Sequence, residues 1–280
     1  MSEPTPTSGD SGPTNGTDRS AKKPLLSVTN LVVNFGRGAS RNAVDKVSFT
    51  VEQGKTLAII GQSGSGKSTL CRAILGLQHT TAGHIQIQGQ DITELHGRKL
   101  RDFRRNVQAV FQDPFSSLDP RWNALRIVTE PLRVHRIGTK AQREARGREL
   151  IEQVGLLPEI ATRLPHELSG GQRQRLAVAR AISLEPSLII LDEPLSALDV
   201  SVQAQVSNLL IDLQRTHNLT FVIVAHDMAA IKRISDDVLV MSQGQAVEWG
   251  AADQVFERPS HPYTRSLIDA TPQLPEGAAA

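Results

Sequence analysis

The sequence predicts an α/β fold with a parallel sheet at its centre, a small antiparallel β unit beside it and an inserted helical lobe. Three observations predict it. Leu188–Leu191 (LIIL) and Thr220–Ala225 (TFVIVA) are unbroken apolar runs, the pattern of strands in a sheet covered on both faces. A glycine-rich stretch over 61–69 follows the short apolar run Lys55–Ile60 (KTLAII) and leads into a helical pattern. Across 114–170, apolar residues recur at three- and four-residue spacings, the period of an amphipathic helix.

Taken in order, residues 1–24 are rich in Ser, Thr, Gly and Pro and have no apolar periodicity. Such a segment buries too little surface to offset its ordering entropy, so it is expected to be a disordered tail. The folded domain is expected over 25–272, with a flexible tail at 273–280. Leu25–Phe35 and Val44–Val51 alternate like strands. The loop at 61–69 opens a helix reaching Leu77, and His84–Gln88 alternates again between Gly83 and Gly89. Trp122–His135 and Lys140–Val154 carry the helical spacings of the lobe. Gln172–Leu184 reads as a helix stopped by Pro186, and Val200–Thr216 as a helix between the two apolar strands. Val238–Met241 and Ala246–Trp249 flank Ser242–Gln245 (SQGQ) as a hairpin, and a short helix is expected around Tyr263–Ala270.

Composition removes several classes. Apolar residues are 39% of the 280 residues, and glycine brings the total into the ordinary globular range of about 45–50%. No run approaches the roughly 18 apolar residues of a membrane span, and the start (MSEPTPTSGD) lacks the basic and apolar regions of a secretory leader. The single cysteine, Cys71, supports neither an internal disulfide nor a thiolate cluster. It reads as a small buried residue in a reducing, cytosolic compartment. The net charge of +2 points neither to nor away from polyanions.

Gly61-Gln-Ser-Gly-Ser-Gly66-Lys67-Ser68 satisfies G-x-x-x-x-G-K-[ST] between a strand and a helix. Glycines let the backbone bend so that its N–H groups point inward at phosphate, and the helix start adds partial positive charge. Lys67 is placed to reach β- and γ-phosphates, and Ser68 to ligate Mg²⁺. Leu188–Leu191 ends in Asp192-Glu193. Ligands gather at the carboxyl ends of parallel strands, so Asp192 is placed to hold Mg²⁺ and Glu193 to act as a general base on water. Taken alone, an acidic pair at a strand end is also compatible with two solvated carboxylates. His226 follows the next apolar strand. Its imidazole could hydrogen-bond a γ-phosphate, but on the residues alone a structural role is the commoner one for a lone histidine. Leu168-Ser-Gly-Gly-Gln172 precedes a helix. It reads either as an N-cap with a flexible hinge or as a second anion grip.

In this order, the motifs resemble the nucleotide-binding subunit of an ABC transporter, over roughly Leu25 to Pro272. The resemblance implies an ABC ATPase fold: a P-loop NTPase core with a parallel sheet, a small antiparallel β subdomain and the inserted helical lobe. It implies ATP and Mg²⁺ as cofactors. Phe35 takes the adenine-stacking position. Gly61, Ser63, Gly64, Ser65, Gly66, Lys67, Ser68 and Thr69 form the Walker A loop. Gln112 is the Q-loop glutamine, sensing the γ-phosphate and joining Ser68 and Asp192 around the metal. Glu193 is the base, His226 the switch histidine, and Asp199, in Ser196-Ala-Leu-Asp199, the D-loop acid. Ser169, Gly170, Gly171 and Gln172 are the signature, which in this family caps the ATP of a second protomer in a head-to-tail pair.

Two further segments narrow the resemblance. Val110-Phe-Gln-Asp-Pro-Phe-Ser-Ser-Leu-Asp-Pro-Arg121 and His261-Pro-Tyr-Thr-Arg-Ser-Leu267 are similar to the dipeptide/oligopeptide/nickel importer group, most of all to the second ATPase of peptide systems. Some ATPases of that group hold an iron–sulfur centre on C-terminal cysteines, which this tail lacks. The group implies two transmembrane permease subunits, a second ATPase subunit (a paralogue or a second copy) and a substrate-binding protein as partners. It implies no nucleic acid, and a place on the cytoplasmic face of the membrane. The alternatives are a nickel or other small-solute transporter, or a non-transport ABC switch. Such switches usually carry long coiled coils or two cassettes, and neither is seen in this sequence.

Overall fold

The computed structural model describes residues 23–36, 42–113, 117–196, 198–225 and 228–270. The expected N-terminal tail falls almost wholly, and the C-terminal tail wholly, outside these residues. The chain runs β1 (Leu26–Val33), β2 (Val44–Val51), β3 (Thr56–Ile60), α1 (Lys67–Ile74), β4 (Ala82–Ile87), β5 (Gln90–Asp91), α2 (Gly97–Asn106) and β6 (Val107–Val110). It continues with α3 (Ala124–Val134), α4 (Lys140–Gln153), α5 (Gly170–Ile182), β7 (Leu188–Asp192), α6 (Val200–His217) and β8 (Thr220–Val224). It ends with α7 (Met228–Ile234), β9 (Asp237–Ser242), β10 (Gln245–Ala251), α8 (Ala252–Glu257) and α9 (Pro262–Asp269). Two 3₁₀ turns, Pro158–Thr162 and Pro165–Glu167, link α4 to α5.

Among the described residues the strands form two sheets, ordered β2-β1-β4-β5 and β10-β9-β3-β8-β7-β6. The first is antiparallel throughout. In the second, β9, β3, β8, β7 and β6 are parallel and β10 pairs antiparallel at the edge. This is the α/β arrangement the sequence predicts, and its unbroken apolar runs are explained by two cores. On one face, Leu57, Ile59, Ile190 and Val222 pack with Leu70 and Ile74 of α1 and with Leu26, Phe49 and Ile85 of the antiparallel sheet. On the other, Ala58, Ile60, Ile189, Phe221 and Ile223 pack with Leu176 of α5, Leu210 of α6, and Ile127, Val128 and Leu150 of α3 and α4. With period-two side chains buried on both faces, no polar position remains to break the run.

Local chemistry sets the element ends. Asn123 caps α3 by accepting from the Arg126 N–H, and Thr139 and Gln142 cap α4 reciprocally. The SQGQ hairpin turns on Gln243 (φ 53°) and Gly244 (φ 87°), the two positive-φ positions that match strand twist. Gly83 is a correction: it lies inside β4, not at its end. A Cβ there would meet the Asn30 carbonyl oxygen at 2.3 Å, beside the register shift between β1 and β4.

The sequence pattern leaves α2 and β6 unread. Six of ten α2 residues are charged and it fully buries only Phe103, so it carries almost no periodic apolar signal. β6 is four residues (VQAV) following α2 directly, with no turn residues to set it apart. It becomes a strand because β7 offers it a parallel partner, Val110 pairing with Leu191. No helix among the described residues is long and apolar enough to cross a membrane. Cys71 is buried, and burial pushes its thiol well above the usual range.

Phe221 is almost fully buried in the centre of the sheet. Phe221→Ala should cost about 3–5 kcal/mol, the usual range for truncating a buried aromatic. A urea midpoint equal to that of the parent chain would contradict the packing of this face.

Candidate functional site

The parallel register brings the candidate residues together. Ile59 of β3 and Asp192 of β7 both pair with Val224 of β8, and Val110 of β6 pairs with Leu191. The strands therefore end level, and the segments leaving them share one edge. From β3 the chain enters the 61–66 loop, from β7 it enters Glu193, and two residues after β6 stands Gln112.

The loop is a tight wrap that glycine permits. Gly61, Gly64 and Gly66 have φ of 147°, 77° and 103°. A Cβ on Gly61 would lie 2.2 Å from the Met241 carbonyl oxygen, and one on Gly66 would lie 2.3 Å from that of Ala43. The loop is thus pressed between β9 and the start of β2. Lys67 opens α1 and is only 5% exposed. Its ammonium donates to the carbonyls of Gly61 at 2.8 Å and Gln62 at 2.9 Å, with the Ser65 hydroxyl at 3.5 Å. Burial pushes the ammonium below its ordinary range, and the charges of Glu193 and Asp192 oppose that shift. Ser63, Gly64 and Ser68 lie exposed on the loop and helix start, Ser65 is buried, and Thr69 is half-buried.

Glu193 sits at φ 49°, a left-handed backbone that non-glycine residues seldom adopt. Its N–H donates to the Val224 carbonyl at 2.9 Å, and its carbonyl accepts from the Ser196 hydroxyl at 3.1 Å. Strain of this kind collects where a side chain must be aimed. The side chain meets Gln112, whose Nε2 donates to its Oε2 at 2.6 Å.

A cleft of about 400 Å³ opens beside the loop, with Asn42, Gln62, Ser63, Gln243 and Tyr263 in its walls. A slightly larger one, about 440 Å³, lies between α2 and the end of α3, lined by Arg101, Arg105 and His135 among others. Asn106 and Leu184, at the amino ends of β6 and β7, also line it, so it belongs to the opposite edge of the sheet. The cleft beside the loop is the one at the level edge. Tyr263, from α9, is a contributor that motif reading does not assign: its hydroxyl accepts from the Gln62 N–H at 3.0 Å.

Other sequence-predicted residues lie apart from this cluster. Ser169 caps α5, accepting from the Gln172 N–H at 3.3 Å, while Gln172 Oε1 accepts from the Ser169 N–H at 2.9 Å. Gly170 and Gly171 pack against Leu198 and Val202. A Cβ on Gly171 would meet Val202 Cγ1 at 2.5 Å, so close packing on α6 requires glycine there. Asp199 stands exposed at the start of α6. Phe35 lies just past β1 and is 63% exposed, so it is not a core residue of this chain. His226 lies outside the described residues.

A strand, a glycine loop and a helix, with a strand ending in Asp-Glu two places along the same parallel sheet, define a P-loop nucleotide-binding core. The chain belongs to the ABC transporter family, whose model matches residues 44–196. Residues 247–279 match the oligopeptide/dipeptide transporter C-terminal region. The glutathione import ATP-binding protein GsiA of Pectobacterium atrosepticum is 48% identical over 258 residues, covering 89% of this chain; the chain spans 41% of that relative's length. The oligopeptide transport ATP-binding protein OppF of Streptococcus mutans is 46% identical, covering 90% of this chain and 83% of its own. Among solved structures, the dimeric cassette MJ0796 in a post-hydrolysis state with ADP and Pi has a TM-score of 0.74 at 29% identity, covering 81% of this chain and 99% of its own. The cbiO1 protein of Clostridium perfringens, part of the transporter complex cbiONQ, has a TM-score of 0.78 at 26% identity, covering 85% and 92%.

Gly64 and Gly66 separate two effects. A Cβ on Gly64 meets nothing within 4 Å, while one on Gly66 meets the Ala43 carbonyl. Gly64→Ala should cost only the left-handed backbone, about 1–2 kcal/mol. Gly66→Ala should cost clearly more and shift the loop, as read by urea unfolding of the two variants. Equal losses would mean that the wrap against β2 is not present in solution.

Proposed function

We propose that this chain is the ATP-hydrolysing subunit of an ABC importer for di- or oligopeptides. The observation that carries this reading is the Gln112–Glu193 hydrogen bond at the level edge, beside the buried ammonium of Lys67. The match of residues 247–279 to the oligopeptide/dipeptide transporter C-terminal region favours peptide over nickel as cargo. The reading takes 25–272 as one ATPase domain, with the helical lobe near 114–170 as the part that moves with the membrane partner.

In this reading Gly61, Ser63, Gly64, Ser65, Gly66, Lys67, Ser68 and Thr69 hold the phosphates, and Phe35 stacks on adenine. Phe35 is exposed, and its neighbour Asn34 donates to Asn42 of the cleft wall, so a free aromatic ring there suits that task. Glu193 takes a proton from water as the oxygen attacks the γ-phosphorus. The bond from that phosphorus to the bridging oxygen breaks, leaving ADP and phosphate. Gln112 holds one oxygen of the Glu193 carboxylate and so orients the base. His226 supplies a contact to the γ-phosphate in this reading. Ser68, Gln112 and Asp192 are the residues that would hold Mg²⁺, which neutralises phosphate charge when bound. One carboxylate with neutral oxygen donors suits an ion that keeps much of its water.

The Ser169–Gln172 turn and Asp199 serve the second nucleotide of a head-to-tail pair. ATP bridging two subunits favours the closed pair by mass action, and loss of the γ-phosphate contacts lets it open. The partners are a second ATPase subunit (a paralogue or a second copy), two transmembrane permease subunits and a substrate-binding protein, with no nucleic acid. The chain works on the cytoplasmic face of the membrane. A groove of about 340 Å³ where β6 meets the lobe, with Gln108, Trp122 and Ile127 in its walls, is open to a permease segment.

Glu193→Gln should keep ATP affinity and lose at least a hundredfold in phosphate release, the lower range for a general base. Release at the parental rate would remove Glu193 from that role. Ser169→Arg should bind ATP as a monomer and fail to dimerise in light scattering, because bulk and charge enter the shared phosphate site. An ATP-loaded dimer of that variant would overturn the composite site.

A further inference from the structure

We propose that Tyr263 is a positioning residue for the phosphate loop, and that through it the C-terminal segment sets how that loop accepts a triphosphate. The proposal rests on the ATPase reading and names a contact that no part of that reading supplies.

Gln62 is held from both sides. Its N–H donates to the Tyr263 hydroxyl at 3.0 Å, and its carbonyl accepts from the Lys67 ammonium at 2.9 Å. The same carbonyl accepts from the Ser65 N–H at 3.2 Å, closing the turn of the loop. Tyr263 therefore fixes the residue that carries an acceptor for the phosphate-facing lysine. A second grip comes from the same stretch of chain, since the Gly244 N–H donates to the Ser65 carbonyl at 3.0 Å. Residues 244–263 thus touch the loop at two separate points.

That stretch is stiffened for the task. Glu248, on β10, accepts from the Ser260 N–H at 2.8 Å, the Ser260 hydroxyl at 2.8 Å and the His261 N–H at 3.1 Å. His261 then caps α9 by accepting from the Tyr263 N–H at 3.1 Å. Pro262 at the first helical position fixes φ with no N–H to satisfy. In His261-Pro262-Tyr263 the histidine caps, the proline starts the helix and the tyrosine reaches the loop. Movement of α9 therefore reaches the phosphate loop through the Tyr263 hydroxyl, while the Gly244 contact ties the β9–β10 turn to the same loop.

The test is Tyr263→Phe in the full-length chain, which keeps the ring and removes the hydroxyl. Two readouts apply: amide hydrogen exchange over residues 61–65 without nucleotide, and KM for ATP alongside kcat for phosphate release. The expected result is about fivefold faster exchange at Gln62 and about fivefold higher KM with kcat kept, the ratio that one neutral hydrogen bond carries. A purely structural role would instead lower kcat through a smaller active fraction and leave KM unchanged, which overturns the proposal. Unchanged exchange at Gln62 overturns it as well. A parent chain that binds no ATP overturns the ATPase reading, and the exchange measurement then still decides whether Tyr263 holds the loop.

Discussion

In the parallel sheet, Ile59, Val224 and Asp192 stand at one level, so the chain leaves β3, β8 and β7 along a single edge. A register slip of one residue would reverse every side chain between the two cores. That slip is opposed from both sides, because Leu57 and Ile59 fill one core while Ala58 and Ile60 fill the other. Hydrophobic burial thus fixes the register, and the register fixes which loops meet. Glu193 shows the consequence at atomic scale. Its N–H reaches across to the Val224 carbonyl, turning the chain sharply as β7 ends. The side chain is then directed at Gln112, which leaves the adjacent edge strand.

The loop adds an electrostatic constraint to this geometric one. A buried ammonium needs hydrogen-bond acceptors and compensating charge. Lys67 has both, with the loop carbonyls at hydrogen-bond distance and the carboxylates of Asp192 and Glu193 close enough to raise its pKa against burial. Loop shape and lysine charge are therefore coupled. The carbonyls turn toward the lysine only because glycine at 61 and 66 lets the backbone pass within contact of Met241 and Ala43. A side chain at either glycine would push the loop away from β9 or β2 and move the acceptors with it.

Much of this was legible in the sequence, for reasons that vary by residue. The loop could be read because its spacing is dictated by local backbone geometry. β7 and β8 could be read because two-sided burial leaves a continuous apolar run, and the hairpin at Gln243-Gly244 because its turn demands positive φ. β6 could not, since its four residues are a strand only by virtue of their neighbour. The Tyr263 contact was equally hidden, because 201 positions separate it from Gln62 and only the folded chain brings them together. Gly171 was legible as a helix-start glycine, but its requirement comes from Val202 on another helix.

The Ser169–Gln172 turn admits two readings from sequence, a helix cap and an anion grip, and its geometry makes them compatible. The reciprocal cap uses the N–H groups of Ser169 and Gln172. It does not use those of Gly170 and Gly171, which occupy the first turn of α5, where backbone donors have no intrahelical acceptor. Capping thus fixes the direction of α5 while those two donors point out of its first turn. Glycine at 170 and 171 puts no side chain of its own over those donors. The same absence lets α5 pack on Leu198 and Val202, which flank Asp199. The glycine pair therefore ties the signature turn to the start of α6, so that displacement of either element moves the other.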